Sequence, residues 1–301
     1  MRQFHHQKDL ENIDPGLYEI IKLEEERQVR RLIMIPSESA TPVAVRESLG
    51  SIFTNIYAEG YPPPETPKYT EEEILDYTHM LGMYRRYGDP RFYKGVEYVD
   101  VVEALARHRC AKVFATNNLT PDDLYVNVQP LSGAPANNAV YSAFLQPGDT
   151  ILGMNLLHGG HLTHGSSVNR SGMIYNAQHY SVDPVTEKLD YDAILEKALE
   201  VKPKIIIAGY SSYPWMPDWQ KFREIADSAG ALLLTDVSHI AGLIAAGVVP
   251  SPVGFAHIIT FTTHKSMLGP RGACIITDNP DFSKKIDKSI FPGEQGGPHI
   301  N

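Results

Sequence analysis

From Leu124 onward, short apolar runs rich in β-branched residues alternate with amphipathic stretches of helical period. The runs Leu124–Val128, Thr150–Met154, Met173–Tyr180, Lys204–Tyr210, Ala231–Asp236, His257–Thr262 and Ala273–Thr277 predict strands. The stretches Ala134–Leu145, Tyr191–Val201, Asp218–Ala229 and Asp281–Ser289 predict helices. Strands that are apolar throughout must be covered on both faces, and a largely parallel sheet between two helix layers does this. The expected class is therefore α/β, without internal repeats or low-complexity tracts.

The first 123 residues read differently. Asp14-Pro15 predicts a helix start, with Leu17, Ile20, Ile21, Val29 and Leu32 on its apolar side and Glu24 to Arg31 on its solvated side. A second helical pattern covers Val43 to Phe53. Thr70-Glu71-Glu72-Glu73 is a capping box that opens a helix bearing Ile74, Tyr77, Leu81 and Tyr84, closed at Gly88-Asp89-Pro90. Residues 63–90 thus read as a self-contained excursion, and Glu97 to Phe114 as an amphipathic helix. The expected layout is an N-terminal helical arm over 1–54 and a cofactor-binding large domain over 55–301.

A net charge of -9 argues against a general nucleic-acid or anionic-membrane binder, both of which need basic surface. Cys110 and Cys274 lie in apolar patterns without metal spacing, and the N-terminus has no apolar signal core. A reducing, cytoplasmic setting is the expectation, and no apolar run is long enough for a membrane span.

In sheets of this kind, ligands collect beyond the carboxyl ends of the strands. That edge receives Ser132-Gly133-Ala134 at a helix start, the Leu156 to His161 turn, Ser211, Asp236 with His239, and Thr262, His264 and Lys265. Lys265 stands between a buried strand and a Gly-Pro-Arg-Gly turn. Alone it reads as a turn lysine; held at the rim of a core, a lysine can become a nucleophile toward a carbonyl cofactor. Ser132 suits a phosphate at a helix N-terminus and equally an ordinary N-cap. Asp236 ends an apolar strand and needs a cationic partner, either a protonated pyridine nitrogen or His239. His158, His161 and His164 recur at three-residue spacing, yet no further ligand appears and we assign no metal. There is no G-x-G-x-x-G between strand and helix, which removes the dinucleotide reading. Phosphate donors, a ring-nitrogen carboxylate, a stacking His161 and a strand-end lysine together describe a pyridoxal 5'-phosphate site.

Longer motifs carry a resemblance. Asn55-Ile-Tyr-Ala-Glu-Gly-Tyr-Pro62, Asn127-Val-Gln-Pro130, His158-Gly-Gly-His-Leu-Thr-His-Gly165, Thr262-Thr-His-Lys265 and Phe291-Pro-Gly-Glu-Gln-Gly-Gly-Pro298 occur in that order. The chain resembles the serine hydroxymethyltransferases, a pyridoxal-phosphate-dependent family of aspartate-aminotransferase-like fold. The resemblance implies a seven-stranded large domain, a C-terminal small domain that is absent here, and tetrahydrofolate as co-substrate. It implies Lys265 as the Schiff-base lysine, Asp236 on the pyridinium nitrogen and His161 stacked on the ring. Ser132, Gly133 and Ala134 would hold the phosphate, with Ser211, His239, Tyr57 and Gly297 among the cofactor contacts. Glu59 would be the acid/base, Tyr93 an active-site tyrosine and Thr262 the active-site threonine beside the lysine, with His264 also in the catalytic set. Ser37 would meet the substrate carboxylate, and Leu156 and Leu162 would line the folate.

The same resemblance implies a homodimer in which the Tyr57–Glu59 and Phe291–Pro298 loops reach the partner's site. Leu131, Pro135 and Phe92 depart from the family's usual residues, and 63–90 is an insertion. The expected activity is interconversion of serine and glycine. The alternatives are a cofactor-binding subunit of a split protein, completed by a C-terminal partner chain, or a folate-independent aldolase.

Overall fold

Neighbouring apolar residues on each central strand point to opposite faces, and each face has its own core. The computed structural model describes residues 9–301. They form two units, residues up to 38 and residues 39–301. The first eight residues of the expected arm lie outside the described residues.

In the first unit, α1 (Leu10–Ile13) leads through Asp14, whose side chain accepts from the Leu17 amide, into α2 (Pro15–Arg30). The expected apolar side of α2 is not buried: Leu17, Ile20, Ile21 and Val29 are exposed. Among its described residues, this unit has no second layer for them to pack against. The division falls at 38/39 rather than at residue 54. Residues beyond it are tied to the larger unit: the Ser39 hydroxyl donates to the His264 carbonyl, and Phe53 packs with Ala58, Val96 and Val99.

The larger unit begins with α3 (Val43–Leu49). The capping box at Thr70 forms, but the helix it opens is short. Asp76 ends α4 (Glu71–Leu75) and its side chain caps α5 (Tyr77–Tyr87), so the expected single helix is two. Nor is the excursion self-contained. Its Ile74 and Met80 are buried against Val101 and Ala104 of α6 (Glu97–Phe114).

Seven strands form one sheet: β1 (Tyr125–Asn127), β2 (Thr150–Met154), β3 (Asn176–Tyr180), β4 (Ile205–Gly209), β5 (Leu232–Asp236), β6 (Ile258–Thr262) and β7 (Ala273–Thr277). Their spatial order is β1-β7-β6-β5-β4-β2-β3. Only β7 runs against its neighbours, so the other six strands bring their carboxyl ends to one edge. The expected strand Met173–Tyr180 starts late. The Asn169 side chain caps α8 (Arg170–Ile174), which takes the first residues of that run.

Between the strands lie α7 (Gly133–Phe144), α9 (Tyr191–Val201), α10 (Trp219–Ala229) and α11 (Ala241–Ala245), and α12 (Pro280–Lys288) follows β7. On one face Leu152, Ile206, Leu233, Ile259 and Ile276 pack with α6, α9 and α10 through Phe114, Ile194 and Phe222. On the other, Ile151, Ile205, Leu234, Ile258 and Ile275 pack with α7 and α12. Among the described residues, no helix is long and apolar enough to cross a membrane.

Candidate active site

Asp236 is the last residue of β5 and is buried. Its Oδ2 accepts from Asn137 Nδ2 at 2.8 Å and faces His164 Nε2 at 3.0 Å. Its Oδ1 accepts from the Ser238 hydroxyl at 2.6 Å and the Ser238 amide at 3.2 Å. Burial alone would push this carboxyl up; the hydrogen bonds from His164, Ser238 and Asn137 outweigh it and hold the group well below the usual carboxylate range. The partner is therefore His164, not His239. Sequence reasoning noticed His164 only as part of a possible metal spacing, and it gave no sign of Asn137 or Ser238. His161, His164 and Asp236 do come close enough to share an ion, but His164 is committed to the carboxylate and His161 Nδ1 lies 2.7 Å from the Thr163 hydroxyl.

Lys265 follows β6 and is buried to 8% exposure, with Nζ 3.2 Å from His239 Nε2. Burial lowers its pKa and the nearby Arg271 charge adds to this, while Asp236 opposes. The same desolvation, followed by the Lys265 charge, pushes His239 down to about 4. Burial likewise pushes His161 down to about 4. Both rings are therefore neutral at pH 7, and the Lys265 amine faces a neutral imidazole.

Ser132 is the N-cap residue of α7, yet its hydroxyl makes no capping hydrogen bond. Gly133 and Ala134 open the helix with amides that have no intrahelical acceptor. A Cβ on Gly133 would fall 2.8 Å from Thr262 Cγ2, so only glycine keeps this space open. The Thr262 hydroxyl is buried with no partner, while its amide donates to Ser238 Oγ at 3.2 Å. The His264 carbonyl accepts from the Ser39 hydroxyl, its Nδ1 is buried without a partner, and burial, with the Arg271 charge, lowers its pKa.

Beyond β2 the chain makes two 3-10 turns, Leu156–His158 and Leu162–His164, which leave Leu156 and Leu162 half exposed on either side of His161. A Cβ on Gly160 would collide with the Met154 carbonyl, so the turn folds back against the end of its own strand. The Ser211 amide, just past β4, donates to the Gly159 carbonyl at 2.6 Å and pins the turn from the neighbouring strand.

A second cluster forms around Glu59. The Tyr57 hydroxyl donates to Glu59 Oε1 at 3.2 Å, and this bond raises the tyrosine's pKa. Tyr57 and Tyr93 meet edge to face at 5.6 Å. Gly296 and Gly297 lie against Glu59, which brings the Phe291–Pro298 loop beside it. No hydrogen bond or ring contact among the described residues joins this cluster to Lys265 in the same chain. Ser37 sits in a turn of the first unit. Of the three departures, Leu131 donates its amide to Gln295 Oε1 at 3.2 Å, Pro135 lies in the first turn of α7, and Phe92 packs edge to face on Phe291 at 5.3 Å.

Sequence reasoning also missed Arg91, the largest wholly buried side chain. It pairs with Asp100 at 2.6 Å and Glu103 at 2.7 Å and donates to the Gly60 carbonyl at 2.9 Å. Gln129 donates to the same carbonyl at 2.8 Å, so the residue after Glu59 is held twice. The signal available was an arginine followed at nine and twelve residues by acids on a helix, which by itself also describes a solvated face.

The sequence model of serine hydroxymethyltransferases matches residues 10–88 and 84–301. A serine hydroxymethyltransferase of Lactobacillus johnsonii is 49% identical over 284 residues. The match takes in 94% of this chain and 61% of that relative's length. The two family matches overlap at 84–88, the end of the excursion, and together they run across the whole sheet and both side-chain clusters. With the carboxyl-edge geometry and nearly all of the sequence in agreement, the chain belongs to the serine hydroxymethyltransferase family.

Proposed function

We propose that the chain binds pyridoxal 5'-phosphate at the carboxyl edge and serves the transfer of the hydroxymethyl carbon of serine to tetrahydrofolate, giving glycine, 5,10-methylenetetrahydrofolate and water. The observation that carries this reading is the buried Lys265 amine, paired with a neutral His239 beside the anionic Asp236.

The residues present fit the cofactor. The Thr262 hydroxyl is buried without a partner, the Ser132 hydroxyl is not spent on its helix, and Gly133 keeps a space that a Cβ would fill. Asp236 offers a negative charge that favours a protonated ring nitrogen. The Ser238 hydroxyl can rotate to free a lone pair for it. Ser132, Gly133 and Ala134 would hold the phosphate, His161 would cover the ring, and Lys265 would hold the aldehyde carbon. When bound, the cofactor supplies an electron sink for the bond broken at the amino acid's α-carbon.

The chain's own part is to position groups and move protons. His239, neutral, can accept a hydrogen bond from the Lys265 amine at 3.2 Å and so orient it. Glu59 takes the Tyr57 hydroxyl on Oε1, leaving Oε2 for the proton of the serine hydroxyl. Leu156 and Leu162 give an apolar shelf for the folate. Tyr57, Glu59 and Tyr93, together with the Phe291–Pro298 loop, serve the partner's site in a cytoplasmic homodimer. Their half-exposed cluster, unconnected to Lys265 of its own chain, supports this.

Incubation with pyridoxal phosphate followed by borohydride should leave a phosphopyridoxyl group on the peptide containing Lys265. Lys265→Ala should lose it. Equal labelling of the variant overturns the site. Serine cleavage that proceeds equally well without tetrahydrofolate overturns the transferase reading and leaves the aldolase.

A further inference from the structure

Gly60, the residue after Glu59, is buried and has a φ of +101°, in the region that favours glycine. A glycine has no side chain to restrict it, so whatever grips its peptide groups sets the direction of the chain on either side. Both groups are gripped here. The Glu59 carbonyl accepts from the Phe92 amide at 3.0 Å. The Gly60 carbonyl accepts from Arg91 Nη1 at 2.9 Å and from Gln129 Nε2 at 2.8 Å.

The two donors are themselves aimed. Asp100 takes Arg91 Nε at 2.6 Å and Glu103 takes Nη2 at 2.7 Å, both from α6. The guanidinium is planar, so two fixed nitrogens direct the third, Nη1, at the Gly60 carbonyl. Glu103 also accepts from Gln129 Nε2 at 3.0 Å, so one carboxylate orients both donors. The Arg91 backbone is tied as well, its amide donating to Asp89 Oδ1 at 2.8 Å. A wholly buried arginine between two acids gains little net stability over apolar packing, because desolvation offsets the attraction. What it supplies is direction. On the far side, Glu59 Oε1 accepts from the Tyr57 hydroxyl, so the carboxylate makes a contact that records where the backbone has put it.

We propose that Arg91 and Gln129 are positioning residues: by gripping the Gly60 carbonyl they fix the direction of the Glu59 carboxylate, to which neither hydrogen-bonds among the described residues. Their part in the reaction rests on the reading of Glu59 as the acid/base. Their hold on its geometry does not.

The test places 3,5-difluorotyrosine, whose phenol ionises near neutral pH, at position 57 and follows its titration by 19F NMR. Glu59→Gln removes the charge beside the phenol and sets the shift expected of a lost contact. Arg91→Lys keeps the positive charge but cannot span Asp100, Glu103 and Gly60 together. It should move the titration down by at least half of the Glu59→Gln shift. Arg107→Lys should leave it unmoved, since Arg107 pairs with Glu103 at 2.8 Å and does not donate to Gly60. An Arg91→Lys titration that coincides with the parent's overturns the proposal, as does an equal shift from Arg107→Lys. So does a Glu59→Gln titration equal to the parent's, because the carboxylate then does not lie where the clamp puts it. If Arg91→Lys does not melt cooperatively, Gln129→Leu takes its place. It removes one donor and keeps the arginine, so a smaller downward shift is expected and no shift overturns the clamp. In serine cleavage with tetrahydrofolate, Arg91→Lys should lower kcat by about tenfold or more and leave KM for serine within about twofold. It should cost nothing further in a chain that already carries Glu59→Gln; an additional loss there makes Arg91 merely structural and overturns the proposal. A parent chain without turnover bears on the proposed reaction alone, and the titration still decides the clamp.

Discussion

Burial, not solvent, sets the charge states at the carboxyl edge. Asp236 stays ionised because three side chains and an amide donate to it, whereas His161 and His239 stay neutral because desolvation finds no such compensation. Both imidazoles fall from 6.5 to about 4. Between those values the unfolded chain binds more protons than the folded one, so stability rises with pH across the window and is lost as pH falls through it. His239→Gln removes one of several contributions, since burial also lowers His179, His257 and His264. The histidine-dependent fall in urea midpoint between pH 7 and pH 4.5 should then shrink but not vanish. An undiminished fall would show that His239 is not desolvated. The sequence disclosed Asp236 and its need for a hydrogen-bonding partner, but not which one. His239 is three residues away along the chain, and His164 arrives from the neighbouring part of the sheet through a turn whose course no local pattern encodes.

The elements on that edge are held by close approaches that tolerate no added atom. The turn after β2 touches the carbonyl of Met154 at Gly160, and Ser211 pins it from β4. Gly160→Ala should force the turn outward, costing about 1–3 kcal/mol of stability. It should also weaken retention of pyridoxal phosphate, because His161 moves with the turn. An unchanged melting temperature and unchanged retention would show that the approach is not tight. Periodicity located the strands well where both faces are buried, as at Ile205–Gly209 and Ile258–Thr262. It failed where a short polar signal overrides a run: Asn169 caps a helical turn inside an apparent strand, and Asp76 both ends one helix and starts the next. Such caps act through single hydrogen bonds, which an apolar pattern does not register.

Across the larger unit, the excursion and α6 form a layer of their own. The excursion's ends converge: the Phe92 amide donates to the Glu59 carbonyl at 3.0 Å, and Arg91 holds Gly60. Removing residues 64–87 and joining the ends through two glycines should therefore preserve the sheet while exposing Val101 and Ala104. A loss of about 2–4 kcal/mol is expected, with cofactor retention intact. A melting temperature equal to the parent's would show that the excursion adds no cover to α6. Loss of cofactor retention would show that it supports the sheet edge. The parallel sheet and its ligand-bearing edge were readable because alternation and strand-end residues are local. The packing of the excursion was not, because Ile74 and Met80 meet a helix some 25 residues further on.

The two side-chain clusters are embedded to different depths. Asp236, Lys265 and Thr262 are parts of the core, so replacing any of them disturbs packing as well as chemistry. Tyr57 and Tyr93 are 61% and 50% exposed and fill no core space. Mutational tolerance is therefore uneven: lineages can alter the exposed tyrosines without refolding the protein, while the buried set must change together or not at all. New reaction specificity in this scaffold would arise at the loop around Glu59, on a foundation that selection for stability alone is enough to preserve.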